Sequence, residues 1–418
     1  MHRWGHLAHS FGPELVSWVL KRHAPVGASA LLDPFCGAGT ALVAARSAGL
    51  VPMGGDLSPY ALVLSKLKTA APGRLDPDAL REAGAEVGAR ASARRRAGEF
   101  EPPDTTALRR MLDRPVYDEA LRIAGIGAAL CATERLVGDA VLVSLLSSLP
   151  AHALLVRKGG WLAWAERTVA AVGRDPAALR REVAARLGEM ADDLRGGLFG
   201  AGPETGAGGP IGVVAKADAR ELPFKDSSAD VVVTSPPYAN RHDYSRAYAL
   251  ELAFLVDERE LRRFRATHFE SHPEAHPEER FRDGGAALPP SARRVADAVE
   301  LAAEEVGDRS NLRYRVPRML RGYGADAVIS AAEMARVLRP GSVAAVVVGN
   351  SSYAGIEYEA DVIWAEALSA AGLFVEEVAV ARERPPSPQQ TLGGSVLRRR
   401  ESVITARKPI ARSVRGPE

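Results

Sequence analysis

Apolar residues at strand-like and helix-like spacing fill the beginning of the chain. Residues 30–32 predict a short buried strand, and residues 40–48 predict a helix that Thr40 would cap. A second strand ends at Asp56 and is followed by a helix with Ser58 at its N-cap. This order of strand, helix, strand and helix is typical of the start of a doubly wound α/β domain.

The same alternation returns in the second half of the chain. Asp218 ends one predicted strand, and the valine run at residues 231–233 predicts a buried one. A helix, a Pro-Gly turn and a long strand are predicted within residues 325–351, and another helix and strand within residues 361–383. A last strand in residues 395–409 is expected to run antiparallel to its neighbour. The predicted fold class is therefore α/β, with a doubly wound and mostly parallel sheet.

Two long segments interrupt this pattern. Residues 71–210 have mainly helical spacing without alternating strands and end in a glycine-rich linker, whereas residues 239–323 are charged and irregular. We therefore expect three parts. Residues 1–70 form the first part of the α/β domain, 71–210 a helical insertion, and 211–410 the second part of the domain, with the charged insertion inside it.

The overall composition excludes few classes of function. The formal net charge is only +2, so a nucleic-acid partner has to be sought in local basic clusters. Two cysteines are too few for a disulfide framework and favour a reducing, cytoplasmic location. No apolar run has transmembrane length and the N-terminus lacks an apolar signal segment, so we expect no membrane association.

The glycine turn "DPFCGAGT" (residues 33–40) lies at the end of the first predicted strand, where doubly wound folds bind ligands. Gly37 and Gly39 would let the backbone approach a ligand closely. The third glycine of a dinucleotide fingerprint is missing, which disfavours NAD. Asp56 follows at the distance from which an acid reaches ribose hydroxyls, and Asp218 could accept from an adenine amino group. Either aspartate alone could equally be a cap or turn residue, but together they favour a nucleoside cofactor.

The loop "TSPPY" (residues 234–238) ends the valine strand. Prolines supply backbone carbonyls without N–H groups, so this loop is a rigid acceptor surface. Ser235 Oγ and the Pro236 carbonyl could accept both hydrogens of an amino group, while Tyr238 stacks on the ring that carries it. The simpler alternative is a Pro-Pro strand terminator with a surface tyrosine. If the first and fourth predicted strands are neighbours, this loop faces the glycine turn across one crevice.

The two motifs together resemble those of the DNA amino-methyltransferases that use S-adenosylmethionine, and the resemblance covers residues 5–70, 212–255 and 325–408. It implies the sheet of the adenosylmethionine-dependent methyltransferases. The implied cofactor-binding residues are Asp33, Phe35, Gly37, Gly39, Thr40, Asp56 and Asp218. The implied catalytic loop consists of Ser235, Pro236, Pro237 and Tyr238.

The resemblance also implies a reaction. A base flipped out of double-stranded DNA would attack the sulfonium methyl directly, with no covalent enzyme intermediate. Cys36 lies in the cofactor turn and is not expected to act as a nucleophile. Serine at position 235 favours the N4 amine of cytosine over the N6 amine of adenine. Family members with this motif order carry target recognition between the motifs, which assigns that role to residues 71–210, and a partner restriction endonuclease is compatible with such an enzyme.

Local basic clusters are the candidate phosphate contacts. They comprise Arg94, Arg95 and Arg96, then Arg241 and Arg246, then Arg313, Arg315, Arg318 and Arg321. For any single arginine a solvated helix face is the simpler interpretation, although Arg241 and Arg246 directly follow the catalytic loop. His242, His268, His272 and His276 lack metal-ligand spacing, so no metal site is predicted.

Other functions remain open at this stage. An RNA methyltransferase acting on a guanine amine of tRNA would share the glycine turn, although such enzymes more often carry Asp-Pro-Pro-Tyr. Protein glutamine methylation usually goes with Asn-Pro-Pro-Tyr, which Ser235 disfavours. A non-catalytic DNA-binding relative would be expected to have an altered catalytic loop, whereas the loop here is intact.

Overall fold

The structure is a computed structural model. It describes residues 2–5, 7, 11–70, 74–89, 100–158, 161–164, 175–196, 212–275, 288–305, 311–384 and 399–410.

Seven strands form the central sheet. They are β1 (Ala30–Asp33), β2 (Val51–Asp56), β5 (Val213–Lys216), β6 (Ala229–Thr234), β7 (Leu338–Gly349), β10 (Phe374–Arg384) and β11 (Arg399–Arg407). Two separate hairpins are formed by β3 (Leu155–Lys158) with β4 (Trp161–Trp164) and by β8 (Ser351–Tyr353) with β9 (Ile356–Tyr358).

The strand order across the sheet is β10-β11-β7-β6-β1-β2-β5. The five strands from β7 to β5 are parallel, and β11 lies antiparallel between β7 and β10. This arrangement confirms the predicted mostly parallel α/β fold and the antiparallel last strand. The pairing of β1 with β6 also places the two sequence motifs on neighbouring strands.

The helices in chain order are α1 (Pro13–His23), α2 (Thr40–Ser47), α3 (Pro59–Lys68), α4 (Pro77–Gly88), α5 (Thr105–Met111), α6 (Arg114–Cys131), α7 (Arg135–His152), α8 (Pro176–Arg195), α9 (Tyr244–Ala247), α10 (Ala249–Leu252), α11 (Glu258–Thr267), α12 (Pro290–Glu305), α13 (Asn311–Val337) and α14 (Ala360–Ala370). A 3₁₀ turn covers His2–Trp4. None of the described helices combines the length and apolar character needed to cross a bilayer.

Helices cover both faces of the sheet because successive strand residues point to opposite sides. On one face, Leu31 and Val231 pack with Val16 of α1 and with α2. On the other face, Leu32 and Val232 pack with α13 and α14, including the fully buried Trp364. The central strands β1, β6 and β7 are therefore covered on both sides, which explains their continuous apolar runs.

The glycine turn and the two helices after β1 and β2 form through local interactions. The expectation that Thr40 caps α2 is wrong, because Gly39 holds the N-cap position with φ +79° and no side chain caps the helix. That left-handed conformation is what glycine adopts at least cost. Ser58 does cap α3, accepting a hydrogen bond from the Ala61 amide at 3.4 Å.

Helices α4 to α8 lie between β2 and β5 in the chain. They share one hydrophobic cluster with α3, α9 and α10, which includes Leu64, Leu80, Val141 and Leu187. The sequence predicted no strands here, but β3 and β4 form a short hairpin after α7. The part boundaries at residues 70 and 210 stay a prediction.

Two other local predictions are wrong. Strand β5 ends at Lys216 rather than at Asp218, which forms an isolated bridge with Glu221 because the chain turns back there. Residues 239–323 were expected to be irregular, yet the described part contains α9, α10, α11, α12 and the first half of α13. Their apolar faces pack on the two large clusters, so tertiary contacts rather than a clean local pattern hold these helices.

Candidate active site

A crevice of about 960 Å³, which includes space open to solvent, lies at the carboxyl edge of the parallel strands. Parallel strands end at one edge, so β1, β2 and β6 all deliver residues to it. The crevice lining includes both predicted motifs, with Asp33, Phe35, Gly37, Thr40, Asp56 and Asp218 on one side and Ser235 and Pro237 on the other.

The glycine turn is folded back onto the end of β2. The Gly37 amide donates to Asp56 Oδ2 at 2.9 Å, and the Cys36 amide donates to the Gly55 carbonyl at 2.9 Å. Gly37 itself has φ +46°. Gly39 is close to α3 instead, since a Cβ there would lie 3.1 Å from the Ser65 Cβ. Gly37 therefore exposes backbone to the crevice, whereas Gly39 permits close packing behind it.

Asp33 places a nearly buried carboxyl group in the crevice wall. Its Oδ1 accepts hydrogen bonds from the Thr234 hydroxyl at 2.6 Å and from the Phe35 amide at 3.1 Å. Its Oδ2 has no hydrogen-bond partner among the described residues. Burial raises the pKa of Asp33 to about 7, although the Thr234 and Phe35 hydrogen bonds oppose that rise and the Asp56 charge adds to it. A buried acid with one unused oxygen fits a cationic ligand group such as an ammonium.

Asp56 and Asp218 are already engaged in local hydrogen bonds. Asp56 accepts from the Ser58 amide through Oδ1 and from Gly37 through Oδ2, and burial raises its pKa. Asp218 accepts from Arg220, with Nε 2.9 Å from Oδ1 and Nη2 2.8 Å from Oδ2. Arg220 is held in turn by Asp326. Each carboxylate oxygen keeps a second lone pair, so both aspartates still offer acceptors to a ligand, and their cofactor roles stay predictions.

The remaining walls suit the apolar parts of S-adenosylmethionine. Leu7, Phe11, Phe35 and Leu57 line the crevice beside the glycine turn. A buried acid, further carboxylate acceptors and apolar walls therefore lie in one place. Cys36 is buried there, and burial together with Asp56 and Asp33 raises the pKa of its thiol, which fits the expectation that it is no nucleophile.

The proline loop presents only part of its motif to the crevice. Ser235 is half-buried and Pro237 lines the crevice, whereas Pro236 is buried. Tyr238 is 6% exposed and is not among the described residues that line the crevice. Its ring lies against Gly349 at the end of β7, where an added Cβ would be 2.9 Å from the Tyr238 Cε2. The stacking of Tyr238 on a substrate base stays a prediction.

Sequence reasoning missed several aromatic side chains of the crevice, namely Tyr244, Tyr248, His268 and Phe269. The Tyr244 and His268 rings stack with centroids 5.9 Å apart and planes 16° apart. Burial lowers the pKa of His268 to about 4, so its ring is neutral near pH 7. The tyrosines could have been found from their position just after the proline loop. His268 and Phe269 are brought in by tertiary folding, which no local signal announced.

The predicted phosphate-contacting arginines are only partly described. Arg241, with φ +66°, and Arg246 are exposed near the crevice, and Arg315 is exposed on α13. The backbone of Arg313 belongs to α13, but its side chain lies outside the described residues, as do Arg94, Arg95 and Arg96 altogether. Two further candidates are engaged in structural contacts. Arg318 donates to the Pro273 and Ala275 carbonyls, and Arg321 is paired with Asp297 and Glu300.

One group with metal-ligand chemistry occurs in the described part of the chain, formed by Asp243, His272 and Glu274. Arg265 lies among these residues, with its Nε 2.8 Å from Asp243 Oδ2. A guanidinium cation already neutralises the acidic group, so the cluster has the character of an ion-pair network. His276 lies outside the described residues, and the absence of a metal stays a prediction.

Comparison with known proteins gives relatives along almost the whole chain. The sequence is 26% identical over 438 aligned residues to the Type II methyltransferase M.AvaI of Nostoc sp. and of Anabaena variabilis, covering 98% of this chain and 86% of the relative. It is 28% identical over 197 residues to the Type II methyltransferase M.BsoBI of Geobacillus stearothermophilus, covering 43% of this chain and 39% of the relative. No family model matches the sequence.

Among solved structures, the rRNA methyltransferase aviRa of Streptomyces viridochromogenes aligns with a TM-score of 0.30 at 14% identity, covering 97% of this chain and 89% of the other. A TM-score this low carries no weight, so the fold assignment rests on the sheet topology. The full-length sequence similarity, the strand order and the crevice agree with the resemblance seen in the two motifs. The chain is therefore similar in sequence to Type II methyltransferases, and its sheet and crevice agree with an α/β methyltransferase fold that uses S-adenosylmethionine.

Proposed function

We propose that this protein is a site-specific DNA methyltransferase that transfers the methyl group of S-adenosylmethionine to the N4 amine of a flipped cytosine. The observation that carries the proposal is the shared crevice, which Asp33 of the glycine turn and Ser235 of the proline loop line together. The sequence similarity to Type II methyltransferases supports the same function.

Some residues of the site bind the cofactor, and others orient the amine of the base. Asp33 pairs with the ammonium of the cofactor, and Asp56 accepts from its ribose. The cofactor supplies an electrophilic methyl group. Ser235 Oγ and the Pro236 carbonyl each accept one hydrogen of the base amine, which turns the nitrogen lone pair toward the methyl carbon. Holding the two reactants in line supplies much of the rate.

Binding of double-stranded DNA completes the proposal. Arg241 and Arg246 follow the proline loop directly and contact phosphates beside the flipped base, with Arg313 and Arg315 on α13 and Arg94 and Arg95 as further contacts. Residues 71–210 recognise the target sequence. A restriction endonuclease that cuts the same sequence accompanies the enzyme, and both act in the cytoplasm.

Adenine N6 is the second candidate target, because Ser235 and the Pro236 carbonyl accept from either exocyclic amine. RNA is the third, since the crevice alone does not distinguish the polynucleotide.

The test is a tritiated-methyl transfer from S-adenosylmethionine to mixed-sequence duplex DNA and, separately, to total tRNA, with the products identified by nucleoside mass spectrometry. We expect N4-methylcytosine in DNA, and its loss in the Ser235→Ala variant. Ser17→Ala changes an exposed serine on α1 and is the matched control. N6-methyladenine in DNA would move the proposal to the second target, whereas label only in tRNA would refute DNA as the substrate.

A further inference from the structure

A buried acid lies on the strand next to the residue on which Tyr238 of the proline loop packs. Glu401 of β11 lies opposite Gly349 of β7 in the strand pairing, and Glu401 is 5% exposed. Arg382 on β10 donates to its Oε1 from Nε at 2.8 Å, and the Nη2 atom lies 2.7 Å from the same oxygen as an ion pair. A buried acid in a sheet needs a partner, and Arg382 provides a positively charged one.

Tyr238 connects this acid to the catalytic serine. Its ring packs on Gly349, directly beside Glu401. Its hydroxyl is 3.4 Å from Ser235 Oγ and interacts with the Glu401 side chain. Ser235, Tyr238 and Glu401 therefore form a chain of polar groups that begins in the crevice and ends at a buried carboxyl.

The donor and acceptor properties of these three side chains fix the direction of the hydrogen bonds between them. A carboxylate can only accept hydrogen bonds, so in the interaction of these two side chains the Tyr238 hydroxyl is the donor and Glu401 the acceptor. The Tyr238 oxygen accepts in turn from the Ser235 hydroxyl, at 3.4 Å. With its hydrogen used in this way, Ser235 presents lone pairs alone toward the crevice. A hydroxyl without such an anchor would rotate and could point its hydrogen at the substrate.

We propose that Glu401 is a positioning residue that acts through Tyr238 to hold the Ser235 hydroxyl as an acceptor for the base amine. This inference rests on the proposed function, in which Ser235 accepts from that amine. It also gives the buried position of Tyr238 a role of its own, separate from stacking on a base.

Protonation of Glu401 should disturb the chain. Burial raises the pKa of this carboxyl, whereas the charge and hydrogen bonds of Arg382 and the hydrogen bond of Tyr238 lower it. Arg382 and Tyr238 are the charged and titratable groups that face it among the described residues. A protonated Glu401 can donate to Tyr238 and reverse the chain. We therefore expect kcat to fall as pH falls through the pKa of Glu401.

The experiment compares Glu401→Gln, Tyr238→Phe and the double variant. Glutamine offers only one acceptor oxygen, for which Arg382 competes, and phenylalanine removes the hydroxyl but keeps the ring. Each single change should lower kcat about tenfold, without changing the Kd of S-adenosylmethionine, because only the orientation of Ser235 is lost. The double variant should be no slower than the slower single variant, since both changes break one chain.

The matched control is Glu376→Gln, because Glu376 is also paired with an arginine, Arg407, between β10 and β11 but at the opposite end of the pair of strands. It should retain wild-type kcat. The proposal would be overturned if the fold-decrease in kcat of the double variant equalled the product of the two single decreases. So would a Glu401→Gln enzyme that keeps the wild-type kcat and acidic pH limb.

A second measurement needs no DNA and separates this inference from the proposed function. Tyrosine labelled with ¹³C at Cζ gives an NMR signal for Tyr238, assigned as the signal lost in Tyr238→Phe. That signal should shift with pH in the wild type as Glu401 titrates, and stay constant in Glu401→Gln. A constant signal in the wild type would overturn the inference. Failure of methyl transfer to DNA in the wild type would instead refute the proposed function.

Discussion

The hydroxyl group of Thr234 donates a 2.6 Å hydrogen bond to Asp33, although 201 positions separate the two residues in the sequence. Thr234 ends β6 and Asp33 ends β1, so the bond joins the start of the proline loop to the glycine turn. Both side chains are buried. The relative position of the two motifs therefore depends on this contact as well as on the strand pairing.

Replacing Thr234 with valine should destabilise the protein by about 1–3 kcal/mol, because a buried acceptor loses a donor while shape is preserved. Thermal unfolding of the ligand-free protein measures the loss. Thr405→Val is the matched control. Thr405 is fully buried in β11, but its hydroxyl oxygen has no hydrogen-bond partner among the described residues. That change should be neutral or stabilising, and equal losses at both positions would contradict the argument.

Affinity for S-adenosylmethionine should depend on the ionisation of Asp33. With a pKa raised to about 7 by burial, this carboxyl is mostly protonated at pH 5.5 and largely ionised at pH 7.5 or above. The ammonium of the cofactor binds the ionised form more tightly. The ratio of the wild-type affinity to that of Asp33→Asn should therefore rise with pH in this interval, by up to about tenfold per pH unit. Calorimetric titration of both proteins tests this, and a ratio independent of pH would refute the assigned role.

The raised pKa of Asp33 should also make the folding stability of the cofactor-free protein depend on pH. A carboxyl with a raised pKa in the folded protein contributes stability below its unfolded value of 3.8, and that contribution is lost as pH rises through about 7. This pKa shift means that folding destabilises the ionised carboxylate by about 4 kcal/mol relative to the protonated form. The Asp33→Asn variant carries a neutral amide at every pH, so its melting temperature should rise relative to that of the wild type between pH 5 and pH 7. A constant difference would show that burial does not penalise the charge.

Gly349 should be intolerant of any side chain. A Cβ at this position would lie 2.9 Å from the Tyr238 ring, so Gly349→Ala must displace the tyrosine and the loop that carries Ser235. We expect at least a tenfold fall in kcat with little change in cofactor affinity, because a small misplacement of a reacting group is costly. Gly188→Ala on α8 is the control, since a Cβ there meets no atom within 4 Å. Equal activity of both variants would contradict the proposed contact.

The elements around the glycine turn were predictable because their determinants are local. The strand before Asp33, the Ser58 cap and the proline stop after β6 each follow from a few consecutive residues. The pairing of β1 with β6 followed from the rule for doubly wound sheets. Where a local rule was applied to the wrong residue, as with Thr40, the left-handed conformation of the preceding Gly39 decided the outcome.

The rest of the site depends on contacts between distant segments. His268 and Phe269 enter the crevice because α11 packs Phe264 into the cluster formed by the helices between β2 and β5. The same reasoning applies to Glu401, whose position beside Tyr238 depends on the insertion of β11 next to β7. Neither relationship leaves a pattern in the sequence, since each joins residues that are far apart along the chain.

Phosphate contacts beside the crevice should appear in the salt dependence of DNA binding. Arg246 is exposed on α9, directly after the proline loop, and forms no ion pair within the described part of the chain. Removing one phosphate contact with Arg246→Ala should weaken binding of all duplex sequences similarly and reduce the slope of log K against log salt by about 1. Fluorescence anisotropy at several salt concentrations measures that slope.

Lys21→Ala provides the matched control, because Lys21 is an exposed cation near the end of α1. Arg407 donates to the His23 carbonyl at that end and to the Gly341 carbonyl in the first half of β7, so this end lies toward the edge of the sheet opposite the crevice. Its removal should leave the slope unchanged, since a cation there is too far from bound DNA to displace counterions. An equal decrease of the slope in both variants would show that DNA binding depends on the total positive charge of the protein. Arg246 beside the crevice would then have no specific phosphate contact.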